Sequence, residues 1–284
     1  MKKGCGNMRT NLKITNNLEV LSEMTGDSTF QILEYDTLSG SLDVSSAEQM
    51  YFMREIGMTL KQVKIILEDS SVRIQSGALS YMKGRIDLRA AFGGIMGLGK
   101  KLMSSKATGE SAIKPLYTGT GEIYLEPSFG HYALIELEDD EVIIDDGLFY
   151  ACEEGIEVGA AMQKNISSAF FGNEGLFQTK LEGSGVAVLE LPVPEHEIRK
   201  VVLINDTLKV DGNFALLRTG DIEFTVEKSS KSLIGSAASG EGLVNVYRGT
   251  GEIWLMPTKE IYNRIALGDF HGLTKNEGRY DTEV

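Results

Sequence analysis

The chain has 284 residues, of which 28 are Lys or Arg and 41 are Asp or Glu, a formal charge of −13. A hydrophobic share of 42% and a charged share of 24% suit a globular protein long enough for a large core. The acidic balance makes nucleic acid a disfavoured partner, since phosphate binding needs clustered Lys and Arg. The two cysteines, Cys5 and Cys152, exclude a disulfide framework and point to a reducing, cytoplasmic compartment.

In chain order, residues 1–27 read as an N-terminal tail. Lys2, Lys3 and Gly4 before Cys5 suggest a lipoprotein anchor, but no apolar h-region precedes the cysteine, and Met8 is an alternative start. An Arg-rich amphipathic mitochondrial presequence is also missing. Residues 28–57 form a lead segment in which Phe30-Gln31-Ile32-Leu33-Glu34-Tyr35 has strand character without a later counterpart. It is suited to completing the sheet of another unit by strand swapping. No window reaches the ~18 apolar residues of a membrane span, and the nearest, Ala90 to Gly99, is short and glycine-rich.

The rest of the chain repeats itself. Tyr117-Thr118-Gly119-Thr120-Gly121-Glu122-Ile123-Tyr124-Leu125-Glu126-Pro127 is echoed from Leu181 to Pro192 and again from Tyr247 to Pro257. The leading glycines Gly119, Gly183 and Gly249 fall 64 and then 66 residues apart. Ahead of each lies a second glycine pair, Gly77 and Gly84, Gly147 and Gly155, Gly212 and Gly220. Between the two motifs sits a glutamate in a glycine-rich setting, at Glu110, Glu174 and Glu241. These markers define units at 58–127, 128–192 and 193–257, followed by a C-terminal tail, 258–284, that is polar after Phe270. Apolar–polar alternation, Asp146-Gly147 and Asp211-Gly212 turns, and 32 glycines against 5 prolines predict β structure throughout. Each Gly-x-Gly leads into a strand, not a helix, so it predicts a strand bend and not a phosphate loop. An insert at 88–108 carries Leu88, Phe92, Ile95, Leu102 and Met103 at helix-like spacing. Its glycines favour a short helix or ordered loop over the sheet edge, with a docking flap as the alternative.

The Gly-Glu segments, the Gly-x-Gly-x-(Ile/Val) strands and Ser76-Gly77-Ala78-Leu79-Ser80-Tyr81-Met82 resemble the altered-inheritance-of-mitochondria, or mitochondrial biogenesis, family over about Phe30 to Pro257. The resemblance implies a fold similar to the tryptophan RNA-binding attenuation protein. Three short double-stranded β-helix domains would lie in a pseudo-threefold arrangement, with strands exchanged at the N-terminal side. Eukaryotic members are linked to mitochondrial inner-membrane organisation, whereas the bacterial members carry no established activity.

The residues themselves assign no catalytic set, cofactor or metal. His131 and His196 stand four residues after Pro127 and Pro192, on matching faces if the units are equivalent, yet a metal needs three or four converging ligands. Exposed, unliganded imidazoles are the simpler reading, and Glu195 and Glu197 would point away from His196 on a strand. Glu110, Glu174 and Glu241 could ring a cation or a basic peptide, or accept backbone N–H bonds in a repeated turn. The acidic run Glu136, Glu138, Asp139, Asp140, Glu141, Asp145 and Asp146 lacks the EF-hand order and predicts a solvated hairpin tip. Cys152, beside Glu153 and Glu154, is a poor thiolate. Tyr124, Tyr247 and Trp254 read as core or sheet-surface aromatics. The expected function is a non-catalytic scaffold or binding protein with a protein partner, open to a closed homo-oligomer. The alternatives are an RNA- or small-ligand-binding regulator and a metal-dependent double-stranded β-helix enzyme.

Overall fold

The computed structural model describes residues 10–13, 18–89, 114–161, 178–228 and 243–267. It is predominantly β. β1 (Glu19–Thr25) and β2 (Ser28–Glu34) form an antiparallel hairpin, so strand structure reaches back into the stretch expected to be a tail. α1 (Val44–Glu55) follows, its first turn capped by the Asp43 carboxylate, which accepts the Ser46 N–H at 2.9 Å. Next come β3 (Lys61–Ile74), β4 (Leu79–Arg89) and β5 (Leu116–Leu125). β6 (His131–Ile144), β7 (Phe149–Glu153), β8 (Ile156–Ala161) and β9 (Gln178–Leu191) follow. β10 (Arg199–Val210), β11 (Ala215–Lys228) and β12 (Leu243–Leu255) complete the strands, and α2 (Lys259–Ala266) lies in the stretch expected to be a C-terminal tail. Of the insert at 88–108, Leu88 and Arg89 belong to β4 and the remainder lies outside the described residues.

All the strands join one antiparallel sheet whose main path runs β1-β2-β3-β7-β9-β6-β11-β12-β10. β5 lies between β3 and β4, β9 pairs β6, β7 and β8, and β12 lies between β10 and β11. The glycine motifs fall in the middle of these pairings, where Gly84 opposes Gly121 and Gly220 opposes Gly251. A Cβ on Gly84 would stand 2.6 Å from the Gly121 Cα, so the two backbones approach as only glycine permits.

Three long strands carry a bulge opposite a Gly-x-Gly. The bulged residues Asp69, Asp139 and Asn205 have φ of 59°, 54° and 48°, a region that Asp and Asn tolerate better than most residues. Their N–H groups donate to Thr120 Oγ1 at 3.1 Å, Ser184 Oγ at 2.8 Å and Thr250 Oγ1 at 3.0 Å, the middle residue of each motif. The bulge at Asp139 corrects the reading of the acidic run. Glu136, Glu138, Asp139, Asp140 and Glu141 lie within β6 and not at a hairpin tip; their side chains are exposed because the bulge bends that stretch outward. Asp145 departs further, being buried.

Apolar burial falls into three clusters. One gathers Phe30, Ile65, Ile74 and Ile123 with Tyr132, Tyr150 and Val188. The next gathers Ile144, Phe149, Leu181 and Leu189 with Leu216, Leu217 and Met256. The last is built on Leu203, Phe224, Tyr247 and Ile253. The first two are therefore shared between successive stretches of the chain. A buried carboxylate joins them further: Glu153, 2% exposed, accepts the Ser28 N–H at 2.6 Å and the Val186 N–H at 2.9 Å, tying β2 to β9.

Candidate functional site

A cleft of about 1270 Å³ opens where β1, the start of β6, the end of β9 and α2 meet. Its walls are largely apolar, with Met58, Phe129, Leu148, Pro192 and Ile265 among them. His131 and His196 both line it, so the structure brings the two sequence-predicted histidines to one site. Glu110, Glu174 and Glu241, the other candidates, lie outside the described residues.

The two imidazoles differ in setting. His131 opens β6 and is half-buried, which holds its pKa below the ordinary value, with the nearby Lys61 charge acting in the same direction. This corrects the expectation that both were exposed. His196, 78% exposed, lies in a 3₁₀ turn, Glu195–Glu197, and not on a strand, because Pro192 and Pro194 interrupt the chain before β10. The strand-alternation argument for its neighbours therefore fails: Glu197 comes within 4.0 Å of His196 Nε2.

Glu197 instead holds α2. Its carboxylate accepts hydrogen bonds from the Tyr262 hydroxyl at 2.7 Å and from the Thr258 hydroxyl, and these lower its pKa. Lys259 pairs with the buried Asp145 at 2.7 Å. The helix is thus clamped by two carboxylates while Ile261, Ile265 and Leu267 stay exposed.

On the cleft floor a polar knot closes on itself. Ser128 Oγ and Tyr132 Oη are 2.8 Å apart, the Gly130 N–H donates to Ser128 Oγ at 3.0 Å, and Ser128 Oγ approaches Glu190 Oε1 at 3.4 Å. Burial raises the Glu190 carboxyl. Tyr150 donates to the Glu126 carbonyl at 3.1 Å, and burial pushes its hydroxyl well above the ordinary phenol value. Sequence reasoning missed this knot because Ser128, Tyr132 and Glu190 form no spaced motif.

A narrower cavity of about 410 Å³ shares Ser22, Tyr132, Leu191 and Glu195 with the cleft and extends it past Met24, Leu134 and Ile198 to Trp254. Trp254 packs on the central core cluster, and its buried indole N–H has no hydrogen-bond partner among the described residues. Elsewhere, burial pushes the Cys152 thiol up to about 12, so it is no nucleophile in the folded chain. Tyr247 is core, whereas Tyr124 stacks on Tyr81 at 4.4 Å. Among the described residues no group of three His, Cys, Asp or Glu side chains is placed to hold a metal ion. No helix among them is long and apolar enough to cross a membrane.

A predominantly β fold with a long, mostly apolar groove is what the chain presents, and the relatives it resembles carry no chemistry in their descriptions. A crystal structure of a Streptococcus pyogenes protein matches with a TM-score of 0.54 at 22% identity, covering 74% of this chain and 94% of that one, a likeness of fold. An uncharacterized protein of Streptococcus pyogenes serotype M6 is 27% identical over 235 residues, 80% of this chain and 91% of the relative. Residues 53–258 match the family described as mitochondrial biogenesis AIM24, and the chain belongs to that family.

Proposed function

We propose that the chain is a non-catalytic binding or scaffold protein, acting through protein–protein or membrane-associated assembly. The observation that carries this reading is the cleft. Its wall is largely apolar, and several of the polar groups beside it are already engaged, Tyr132 with Ser128, Tyr262 with Glu197 and Lys259 with Asp145, which leaves much apolar wall as contact surface. A cytoplasmic location belongs to the same reading, supported by the free, buried Cys152.

The fine architecture enters as part of the proposal. Units at 58–127, 128–192 and 193–257 are taken as short double-stranded β-helix domains of the attenuation-protein type around a pseudo-threefold axis. Their support is the bulge at Asp69, Asp139 and Asn205, each bonded to the centre of a Gly-x-Gly. A homo-oligomer is supported by β10, which pairs only β12 among the described residues and exposes Val202 and Ile204.

Native mass spectrometry of protein purified gently from its own host tests the function. The expected result is a retained protein or lipid in simple ratio. A stoichiometric metal or small-molecule cofactor would overturn the scaffold reading.

A further inference from the structure

The groove has an unusual wall. Leu21, Ser22, Glu23 and Met24, four successive residues of β1, line the two connected cavities. So do His131, Tyr132, Ala133 and Leu134 of β6. Side chains alternate across a strand, so one face can contribute only every second residue. A run of successive residues means that the groove follows the edge of each strand, where backbone N–H and C=O groups emerge.

Both edges are open among the described residues. β1 pairs only β2. β6 pairs β9 from His131 to Leu137, and its other edge is used only at Val142–Ile144, by β11. The corresponding edge of β3, from Lys61 to Leu67, is covered by β2. The fold therefore already shows a strand seated in one such position. β1 carries neither Pro nor Lys, which commonly blunt an edge; its register is irregular between Val20 and Ser22 and regular from Ser22 to Thr25, and it exposes Val20 and Leu21.

We propose that this groove takes an extended, positively charged segment of a partner protein by strand addition. Backbone bonds to the open edge supply affinity, and Met24, Leu134, Leu191, Ile198 and Trp254 receive the apolar side chains. Charge sets the sign of the partner. Glu23 and Glu195 line the narrow cavity, the Lys200 ammonium there is bound by Glu252 at 2.7 Å, and the whole chain carries −13. An acyl chain would fill the apolar subsites but would leave the strand edges without partners.

The inference rests on the binding-protein reading above. The test uses the full chain and an end-capped peptide alternating Lys with Val and Ile. Trp254 is the chain's one tryptophan, so its fluorescence reads the groove directly. The expected result is a saturable shift of Trp254 emission, with new hydrogen-exchange protection at Leu21–Met24. N-methylating alternate amides of the peptide, in each of the two registers, should weaken binding tenfold or more in at least one register. Glu23→Gln should weaken the cationic peptide about threefold while leaving a Ser-for-Lys analogue unchanged. Absence of any response up to about 1 mM, binding of both methylated peptides as tight as that of the unmethylated one, or a stronger response to dodecylammonium than to the peptide would each overturn strand addition. A partner retained in the native mass spectrum beside a failed peptide would remove this inference alone. A stoichiometric metal there would instead remove the reading beneath it.

Discussion

Gly249 and Gly77 both have positive φ, of 137° and 87°, but their surroundings differ. A Cβ on Gly249 would drive into the Asp221 carbonyl oxygen, while one on Gly77 would meet nothing within 4 Å. Gly249→Ala should therefore cost roughly 3 kcal/mol, from clash and strain together. Gly77→Ala should cost about 1 kcal/mol, from backbone strain alone. Urea melts of both variants check the contrast. Glu153 is the other decisive residue: Glu153→Ala would leave the buried Ser28 and Val186 N–H groups without acceptors. A loss of about 2–4 kcal/mol is expected by thermal melt, since each orphaned donor keeps its desolvation cost. The glycines were legible in the sequence because tight backbone approach demands that one residue type. Glu153 was not, because its role depends on partners 125 residues before it and 33 residues after it, and local charge alone suggested only a neighbour of Cys152.

α2 exposes most of its surface and depends on its clamp. The folded pKa of Glu197 lies below its ordinary value near 4.5, chiefly through the Thr258 and Tyr262 hydroxyls. A depressed carboxylate contributes stability above the unfolded value and loses it as pH falls through the folded one. Hydrogen-exchange protection of Lys259–Ala266 should accordingly fall as pH drops below about 4.5, and Glu197→Gln should flatten that dependence. The helix escapes sequence reading because it is short, its N-cap Thr258 makes no side-chain capping bond, and its apolar residues Ile261 and Ile265 stay exposed and mark no core face. β1 escapes it for a related reason, since its side chains are nearly all exposed and so show little alternation. Strands with one buried face, such as β2 and β6, were far easier to see.

For the whole molecule, the family match begins at residue 53, yet β2 lies before it. Phe30 is fully buried in the first cluster, and β2 covers the edge of β3 from Lys61 to Leu67. A chain starting at residue 53 should therefore aggregate or unfold, although it would hold the whole matched segment. Size-exclusion chromatography with light scattering checks this, and a monodisperse, folded product would show that β2 is dispensable. The recurring glycine markers made the all-β class readable, whereas the course of the sheet depends on pairings such as Ile74 with Ala151 and Leu217 with Ile144, which no local pattern encodes.

The sharing of core clusters carries a consequence for how such a chain can change over evolutionary time. Tyr150 and Val188 complete packing begun by Ile65 and Ile74, and Leu216 and Met256 do the same for Ile144 and Leu189. A stretch gained by duplication would arrive with one half-finished interior and expose another. Recombination between relatives is similarly constrained, since a crossover near Pro127 would part side chains that were selected together. Substitutions in the shared clusters should be inherited as matched pairs, and insertion or loss of a whole stretch should be rare compared with solenoids, whose neighbours are interchangeable.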